Sequence, residues 1–400
     1  MPAIKLIDIC GDQRYLNIPL VGRHLAFREP HGGTVRLRSL MLAHDKLAHG
    51  QDGSVRPPGP IVLFGSGEAS PTARRVHAAA LSQLMPPIRA CVLETPAGFE
   101  LNSARVAGRL ADFLRHRLSP FDVQVEVVPA RKRGTLLSPD DPEVVAPLLK
   151  ANYLVLGPGS PTYAAKQLDG SLAWHAILAR HRLGAPLILA SAAAIAASAH
   201  ALPVYEIYKV GEELGWKPGL NLLGPFGRNV AIVPHWNNRE GGEELDTSHS
   251  FMGQERFERL LGLLPSDVDV VGIDEHTALL LDFVAGKAIV FGRGVVSWLR
   301  GGSTTRLDAG ASMPLAALGL TRHPESRDDI PQAVWDAASH TDLSISPKHE
   351  PPEPVRALVT ARTQARANGD WGLSDRLRLE IAAAGWQVRD TPQGPLVVPD

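Results

Sequence analysis

Residues 185–194 have the sequence APLILASAAA, and this stretch decides the fold. Its first six residues form a nearly continuous apolar run, which is typical of a strand buried on both faces of a parallel sheet. Ser191 follows the run directly, and the small residues after it favour a helix. Four earlier runs have the same apolar character: PIVLFG (60–65), IRACVLET (88–95), VQVEVVPA (123–130) and NYLVLG (152–157).

Stretches with helical spacing separate these apolar runs, as in NSARVAGRLADFLRHRL at 102–118. Alternating strands and helices joined by short loops predict an α/β fold. We expect a doubly wound, mostly parallel sheet of the flavodoxin-like type with right-handed crossovers. After residue 230 come a strand, VAIVP, a helix, and four strand-like runs that indicate an antiparallel edge.

Composition divides the chain into four stretches. Residues 1–57 form an N-terminal extension to which we assign no chemistry, and residues 58–317 form the predicted α/β domain. Residues 318–352 are rich in proline and polar residues, which predicts a linker region. Residues 353–400 contain two amphipathic helical stretches that predict a small helical hairpin, followed by the turn residues DTPQGP.

Charge and cysteine content exclude several classes of function. The positive charge of 41 lysines and arginines is nearly balanced by 42 acidic residues. The net charge therefore does not favour electrostatic binding of the whole protein to nucleic acid or to an anionic membrane. Cys10 and Cys91 are too few for a disulfide framework, and no HExxH or paired Cys/His spacing indicates a metal site. The chain shows neither a signal peptide nor a run long enough to span a bilayer. We therefore expect a cytoplasmic protein with no membrane contact and no cofactor.

Ligands of open α/β sheets bind at the carboxyl ends of the strands, and four predicted strand ends carry residues suited to chemistry. They are GSGE (65–68), GPGSPT (157–162), Ser191 and HWN (235–237). A serine at a sharp strand-to-helix turn projects its hydroxyl from the sheet, and the next N–H contributes to an oxyanion hole. Serine is also among the best helix N-caps, so Ser191 has a purely structural interpretation as well.

Three further residues suit a hydrolytic site around Ser191. His235 suits a general base, Glu275 suits the acid that orients an imidazole, and the backbone of Gly159 suits a second oxyanion donor. Each also has an ordinary interpretation: a packed loop histidine, a solvated carboxylate and a tight turn. Asp274 stays an alternative to Glu275 as the orienting acid.

Taken together and in this order, these stretches resemble the serine peptidase family of dipeptidase E and cyanophycinase. The resemblance covers roughly residues 58–300 and rests on LGPGSPTY, LILASAAA, VAIVPHW, SHSFMGQERFERLL and VVGIDEHTALLL. It implies a class I glutamine amidotransferase-like fold. It further implies that Ser191 is the nucleophile, that His235 is the base and that Glu275 supports His235.

The resemblance also implies an oxyanion hole and a substrate class. The hole would consist of the N–H groups of Gly159 and Ala192. Family substrates tend to be aspartyl peptides, which makes Arg256 and Arg259 candidates for binding a substrate carboxylate, the alternative being a solvated helix face. The expected activity is hydrolysis of an amide or peptide bond in a small, peptide-like, acidic substrate. Glutamine amidotransfer is disfavoured because it needs a cysteine where Ser191 stands.

Departures from the family pattern favour an alternative function. The family has roughly Gly-x-Ser-Ala-Gly-Ala around its nucleophile, whereas residues 189–194 have the sequence LASAAA. Leu189 and Ala193 therefore stand where smaller residues are usual in a crowded turn. Pro158 removes one N–H from the Gly-rich loop. The alternative is a catalytically silent protein of the same fold that binds a small ligand or acts as a scaffold.

The last 45 residues resemble the C-terminal segment of bacterial cysteinyl-tRNA synthetases, on VRALVTARTQARANGDWGLSDRLRLEIAAAGWQVRDTPQGP. This resemblance implies proximity to tRNA. Six arginines are balanced by six acidic residues across 351–400, however, and no HIGH-like or KMSKS-like stretch precedes them. We therefore expect a docking or dimerisation module, with a homodimer and a disfavoured tRNA association as open alternatives.

Overall fold

The computed structural model describes residues 57–341 and 352–399, except positions 83, 119, 120, 122, 326, 392 and 393. Four short strands precede these ranges and form two antiparallel pairs: β1 (Lys5–Ile7) with β2 (Gln13–Tyr15), and β3 (Ala26–Arg28) with β4 (Thr34–Arg36). The rest of the N-terminal extension, with Cys10, lies outside the described residues. The chain divides into two compact units, residues 1–341 and 342–400.

Strands and helices alternate through most of the first unit. Its further strands are β5 (Ile61–Phe64), β6 (Ile88–Leu93), β7 (Val123–Val128), β8 (Tyr153–Leu156), β9 (Leu187–Ala190), β10 (His200–Ala201), β11 (Lys217–Pro218), β12 (Val230–Val233), β13 (Asp269–Ile273), β14 (Thr277–Asp282), β15 (Lys287–Gly292), β16 (Val295–Arg300), β17 (Ser303–Asp308) and β18 (Ser312–Pro314). Its helices are α1 (Ala73–Leu81), α2 (Ser103–Arg117), α3 (Pro142–Leu149), α4 (Pro161–Leu168), α5 (Leu172–Arg182), α6 (Ala192–Ala196), the kinked turn α7 (Ser248–Phe251), α8 (Gly253–Leu261) and α9 (Gln332–Ser339).

An eight-stranded sheet forms the centre of the first unit, with the order β18-β15-β14-β5-β9-β8-β6-β7. The five strands from β5 to β7 in this order run parallel, and β14, β15 and β18 add an antiparallel edge. The predicted α/β fold with a large, mostly parallel sheet is thus confirmed. Every residue of β5, β8 and β9 is buried, which explains why their sequences are apolar without alternation.

A second sheet of four strands has the order β12-β13-β16-β17. The sequence analysis assigned the runs after β12 to one antiparallel edge, and this is correct only for β14 and β15. The strand β13 instead pairs in parallel with β12 and antiparallel with β16. An apolar run indicates that a strand is buried, but it does not indicate to which sheet the strand belongs. The sequence pattern therefore could not predict that these strands divide between two sheets.

Residues 318–341, assigned to a linker by the sequence analysis, belong to the first unit. Leu318 and Leu320 are buried in its hydrophobic core, and α9 packs on α5 and adds Val334 and Ala338 to the same core. The last two residues lie one helical turn apart, so a single narrow face anchors an otherwise polar segment. The rest of the assigned linker, residues 342–351, lies outside the described residues.

The second unit contains the predicted helical hairpin, formed by α10 (Glu353–Ala367) and α11 (Trp371–Ala383). An antiparallel strand pair follows, β19 (Trp386–Thr391) with β20 (Gly394–Pro399), where the sequence analysis expected only a turn. The Asp370 side chain caps α11 by accepting a hydrogen bond from the N–H of Leu373 at 3.0 Å. Val355, Ile381 and Val388 form a small core that joins both helices to β19.

Two general features of the described residues bear on function. Within them, no helix is long and apolar enough to cross a membrane. The same part of the chain holds no group of three or more His, Cys, Asp or Glu side chains placed to bind a metal ion. Cys91 is a buried free thiol on β6, and burial raises its pKa, so it stays protonated within the sheet.

Candidate active site

Ser191 has a strained backbone conformation between β9 and α6. Its φ is 52° and its ψ is −113°, a combination that residues with a side chain rarely adopt. Its N–H donates to the carbonyl of Phe64 at 3.3 Å, and its carbonyl accepts the N–H of Ile195 at 3.1 Å. The side chain makes no capping hydrogen bond with α6. Ser191 therefore differs from a relaxed N-cap serine.

The hydroxyl of Ser191 instead faces an imidazole. Its Oγ lies 2.9 Å from Nε2 of His235, and Nδ1 of His235 lies 3.1 Å from Oε1 of Glu275. Nδ1–H donating to the carboxylate leaves Nε2 free to accept the hydroxyl proton, which is the arrangement of a serine, histidine and acid triad. The structure thus brings together the three residues that the sequence indicates as nucleophile, base and acid.

The position of His235 depends on backbone contacts at the end of β12. Its φ of 50° is left-handed, its N–H donates to the carbonyl of Gly65 at 3.2 Å, and its carbonyl accepts the N–H of Ser250 at 3.3 Å. Gly65 also packs closely, because a Cβ there would lie 2.1 Å from the carbonyl oxygen of Asp274. The GSGE strand end therefore supports His235 through its backbone.

Two asparagines hold Glu275: Asn237, which the sequence analysis named without a role, and Asn238, which it missed. Nδ2 of Asn238 donates to Oε1 of Glu275 at 3.0 Å, and the backbone N–H of Glu275 donates to Oδ1 of Asn237 at 2.8 Å. Burial favours the neutral acid and raises the pKa of Glu275. The hydrogen bonds from His235 and Asn238, with the charges of His235 and His276, outweigh burial, so the pKa lies below its ordinary value. Both asparagines follow His235 closely in the sequence HWNN, a signal that could have identified them.

Asp274, the alternative orienting acid, is engaged elsewhere. Its Oδ2 accepts the backbone N–H of Val295 at 2.8 Å. Burial raises its pKa above the ordinary value, and the hydrogen bond from Val295 opposes this only in part. The structure therefore places Glu275, and not Asp274, in hydrogen-bond contact with His235.

The Gly-rich loop leaves the sheet beside Ser191. The strands β8 and β9 pair in parallel with Leu156 opposite Leu189, so residues 157–160 and Ser191 emerge next to each other at the same edge. Leu189 itself is buried in the core of the sheet, and Ser191 keeps its strained conformation with this leucine two residues before it. The departure at Leu189 thus coexists with a strained strand-to-helix turn at Ser191.

Gly159 and Ala192, the predicted oxyanion donors, both occupy constrained positions. Gly159 has a φ of 152°, and a Cβ there would lie 1.9 Å from the carbonyl oxygen of Pro96, so only glycine fits. Ala192 is the first residue of α6, where N–H groups have no partner within the helix. The geometry is compatible with the predicted role, which stays a prediction.

The two predicted substrate-binding arginines differ in their surroundings. Arg256 is half-buried, and its guanidinium donates from Nε to the carbonyl of Met252 at 2.6 Å and from Nη2 to the carbonyl of Phe251 at 2.9 Å. Arg259 lies further along α8 and is exposed. Two of the N–H groups of Arg256 thus bind backbone carbonyls, and the carboxylate-binding role of both arginines stays a prediction.

One aromatic side chain that the sequence analysis did not assign to the site, Phe251, lies beside the imidazole of His235. The ring of Phe251 lies 6.4 Å from that of His235 and 5.3 Å from that of Tyr208, measured between centroids. Trp236 packs directly over Gly272, where a Cβ would lie 2.3 Å from the indole. Phe251 thus gives the imidazole one apolar neighbour.

Comparison with solved structures bears on the fold of the first unit. A peptidase from an acI-B1 Actinobacterium aligns with 65% of this chain and 98% of its own, at 23% identity and a TM-score of 0.52. A protein of Listeria monocytogenes EGD-e, assigned provisionally as a peptidase E, aligns with 63% of this chain and 100% of its own, at 15% identity and a TM-score of 0.38. The first likeness confirms the predicted resemblance to a peptidase fold, and a fold alone does not determine an activity.

Comparison with protein families bears on the second unit. Residues 348–394 match the family model of the cysteinyl-tRNA ligase anticodon binding domain. Cysteine–tRNA ligase 1 of Burkholderia lata is 54% identical over 43 residues, which are 11% of this chain and 9% of that protein. The cysteine–tRNA ligase of Afipia carboxidovorans is 27% identical over 148 residues, covering 32% of this chain and 30% of that protein. This chain therefore spans less than a third of these relatives, and the second predicted resemblance is confirmed for its C-terminal segment.

Proposed function

We propose that this protein is a serine-type hydrolase that cleaves an amide or peptide bond in a small, peptide-like substrate. The proposal rests on one observation, the strained Ser191 with its Oγ 2.9 Å from Nε2 of His235. A serine nucleophile needs a base within hydrogen-bond reach and a third group that orients the base. Glu275, at 3.1 Å from Nδ1 of His235, suits that third role.

In the proposed mechanism, Oγ of Ser191 attacks the carbonyl carbon while Nε2 of His235 takes the hydroxyl proton. The N–H groups of Gly159 and Ala192 stabilise the oxyanion that forms. His235 then gives its proton to the leaving nitrogen, the C–N bond breaks, and the acyl group stays on Ser191. A water molecule, deprotonated by His235, attacks the acyl carbon. The ester C–O bond then breaks, the imidazolium returns its proton to Oγ of Ser191, and the acid is released. Glu275 stays ionised and stabilises the imidazolium.

A substrate carboxylate needs a cation with free donors, and two of the five N–H groups of Arg256 already bind backbone carbonyls. Arg259 is exposed on the same helix and is the residue we assign to such a carboxylate. We therefore propose small peptides as the substrate class, with acidic peptides bound through Arg259.

A fluorophosphonate probe tests the proposed nucleophile without knowledge of the substrate. We expect the folded full-length chain to react so that Oγ of Ser191 bonds to phosphorus and fluoride leaves, because His235 accepts the hydroxyl proton. Mass spectrometry of the digested protein would locate the adduct. Heat-unfolded protein and the Ser191→Ala variant are the controls, and both should stay unlabelled. A folded chain that is not labelled at Ser191 would contradict the proposal and favour the catalytically silent alternative.

Association with tRNA is a second candidate function, and the family match over residues 348–394 is the observation that favours it. Arg376 and Arg378 are exposed on α11 and supply positive charge there. We expect fluorescence anisotropy to detect binding of a bacterial tRNA at about 50 mM salt and its loss at about 200 mM, since phosphate contacts release counterions.

Charge reversal tests whether this binding uses the second unit. Changing Arg376 and Arg378 together to glutamate is expected to weaken tRNA binding about tenfold or more, because it replaces attraction by repulsion. The matched control reverses Arg74 and Arg75, which are exposed on α1 in the first unit. Equal affinity of the α11 variant and the wild type would rule out this function for the second unit.

A further inference from the structure

The turn α7 contains three consecutive left-handed residues, none of them glycine. The φ angles are 55° at His249, 56° at Ser250 and 68° at Phe251. Residues with a Cβ pay a steric cost in this region, and runs of such residues are rare. Contacts from the rest of the unit must therefore impose the conformation.

The left-handed turn supports the chain segment that carries His235. The N–H of Ser250 donates to the carbonyl of His235 at 3.3 Å, and the N–H of His249 donates to the carbonyl of Trp236 at 3.0 Å. The Oγ of Ser250 donates to the carbonyl of Pro234 at 2.6 Å. Three successive carbonyls around the imidazole thus accept hydrogen bonds from this turn.

Arg256 holds the other side of the same turn. Its Nε and Nη2 donate to the carbonyls of Met252 and Phe251, the two residues through which the chain leaves the turn toward α8. Hydrogen bonds from a charged donor are stronger than neutral ones, and the planar guanidinium can bind both carbonyls at once. The ring of Phe251 in turn lies beside the imidazole of His235, at 6.4 Å between centroids.

We propose that Arg256 is a positioning residue: by holding the left-handed turn at residues 249–251, it keeps His235 directed at Ser191. The consequence for His235 as a base rests on the proposed function, whereas the stabilisation of the turn does not. This role replaces the carboxylate binding that the family resemblance implies for Arg256. Recognition of an acidic substrate then falls to other residues, and loss of Arg256 lowers reactivity toward neutral reagents as well.

Three variants separate these roles. Arg256→Met keeps a long side chain without donors, and Arg256→Lys keeps a charged donor. Glu255→Met changes an exposed neighbour on α8 and is the matched control. The first measurement is hydrogen–deuterium exchange by mass spectrometry in the peptide that covers residues 247–255 of the full-length protein. We expect its protected amides to exchange about tenfold faster or more in Arg256→Met, less so in Arg256→Lys, and at the wild-type rate in Glu255→Met.

The second measurement is the rate of labelling of Ser191 by the neutral fluorophosphonate as a function of pH. A displaced base costs reactivity, so we expect Arg256→Met to react about 10- to 100-fold more slowly with an altered pH profile. Arg256→Lys should recover part of the rate, and Glu255→Met should retain it. Circular dichroism checks that each variant is folded. If Arg256→Met does not fold, the comparison of Arg256→Lys with the wild type replaces it.

The outcomes distinguish this inference from the proposed function. Faster exchange with slower labelling in Arg256→Met supports the positioning role. A wild-type exchange rate in Arg256→Met overturns the positioning role, and so does faster exchange with an unchanged labelling rate. An unchanged labelling rate would favour substrate binding as the role of Arg256. Absence of labelling in the wild-type chain would contradict the proposed function, and the exchange rates would still decide whether Arg256 holds the turn.

Discussion

Replacing Ser191 with alanine is expected to lower kcat/KM for a small peptide amide by about three to six orders of magnitude. The change removes the oxygen that lies 2.9 Å from Nε2 of His235 and leaves the backbone to adopt the same strained φ of 52°. Serine and alanine both carry a Cβ, so the steric cost of that conformation is similar in the two proteins. The measurement is steady-state hydrolysis, with thermal unfolding to show that the variant is folded.

The matched control for this change is Ser82→Ala. Ser82 is exposed just beyond the end of α1, and its hydroxyl donates to the carbonyl of Ala79. We expect full activity from this variant. Wild-type turnover by the Ser191→Ala variant would mean that another group is the nucleophile, and the proposed mechanism would be wrong.

The change Glu275→Gln is expected to lower kcat by about two to four orders of magnitude, with a smaller effect on KM. In the proposed mechanism, the carboxylate fixes the tautomer of His235 with hydrogen on Nδ1 and stabilises the imidazolium as the proton arrives. A neutral amide loses that charge, and Asn238 already donates to the oxygen that faces His235. Asp274→Asn is the comparison, and we expect it to retain activity within a few-fold. A larger loss in Asp274→Asn than in Glu275→Gln would assign the orienting role to Asp274.

The pH dependence of stability gives an independent check on Glu275. Its pKa in the folded protein is lower than its ordinary value, so the folded state binds the proton less readily than the unfolded chain. The ionised carboxylate therefore adds stability above the unfolded pKa, and this contribution is lost as pH falls through the folded pKa. The melting temperatures of the wild type and of Glu275→Gln should converge as pH falls from about 7 to about 3. A gap that widens toward acid pH would contradict the lowered pKa.

The triad positions could be predicted because each residue follows an apolar run. Ser191, His235 and Glu275 come directly or almost directly after β9, β12 and β13. Strand ends collect chemistry in α/β folds, so three residues that lie far apart in the chain could be expected to meet. The burial patterns and residue types indicated where these three side chains lie, and the family resemblance implied their roles. In the structure, the side chains lie within hydrogen-bond distance of one another in the order serine, histidine, glutamate.

Other features depend on contacts that no local pattern encodes. The left-handed turn contains His249, Ser250 and Phe251 where a glycine would normally signal such a conformation, because tertiary contacts impose it. The contacts of Arg256 could not be predicted either. The sequence places an arginine on an amphipathic helix, which indicates a solvated side chain, and only the structure reveals the backbone carbonyls that its guanidinium binds. The segment at residues 318–341 was assigned to a linker because most of its residues are polar. Its few buried residues are too widely spaced to form a recognisable apolar pattern.

The side chains of the candidate active site come from two different sheets. Ser191 follows a strand of the eight-stranded sheet, His235 follows a strand of the four-stranded sheet, and Glu275 lies in the turn from β13 to β14, one strand of each. A small rotation of one sheet against the other would lengthen the serine–histidine hydrogen bond while every ladder within each sheet stayed intact. The distance from Oγ of Ser191 to Nε2 of His235 therefore depends on how the two sheets pack against each other in their shared hydrophobic core.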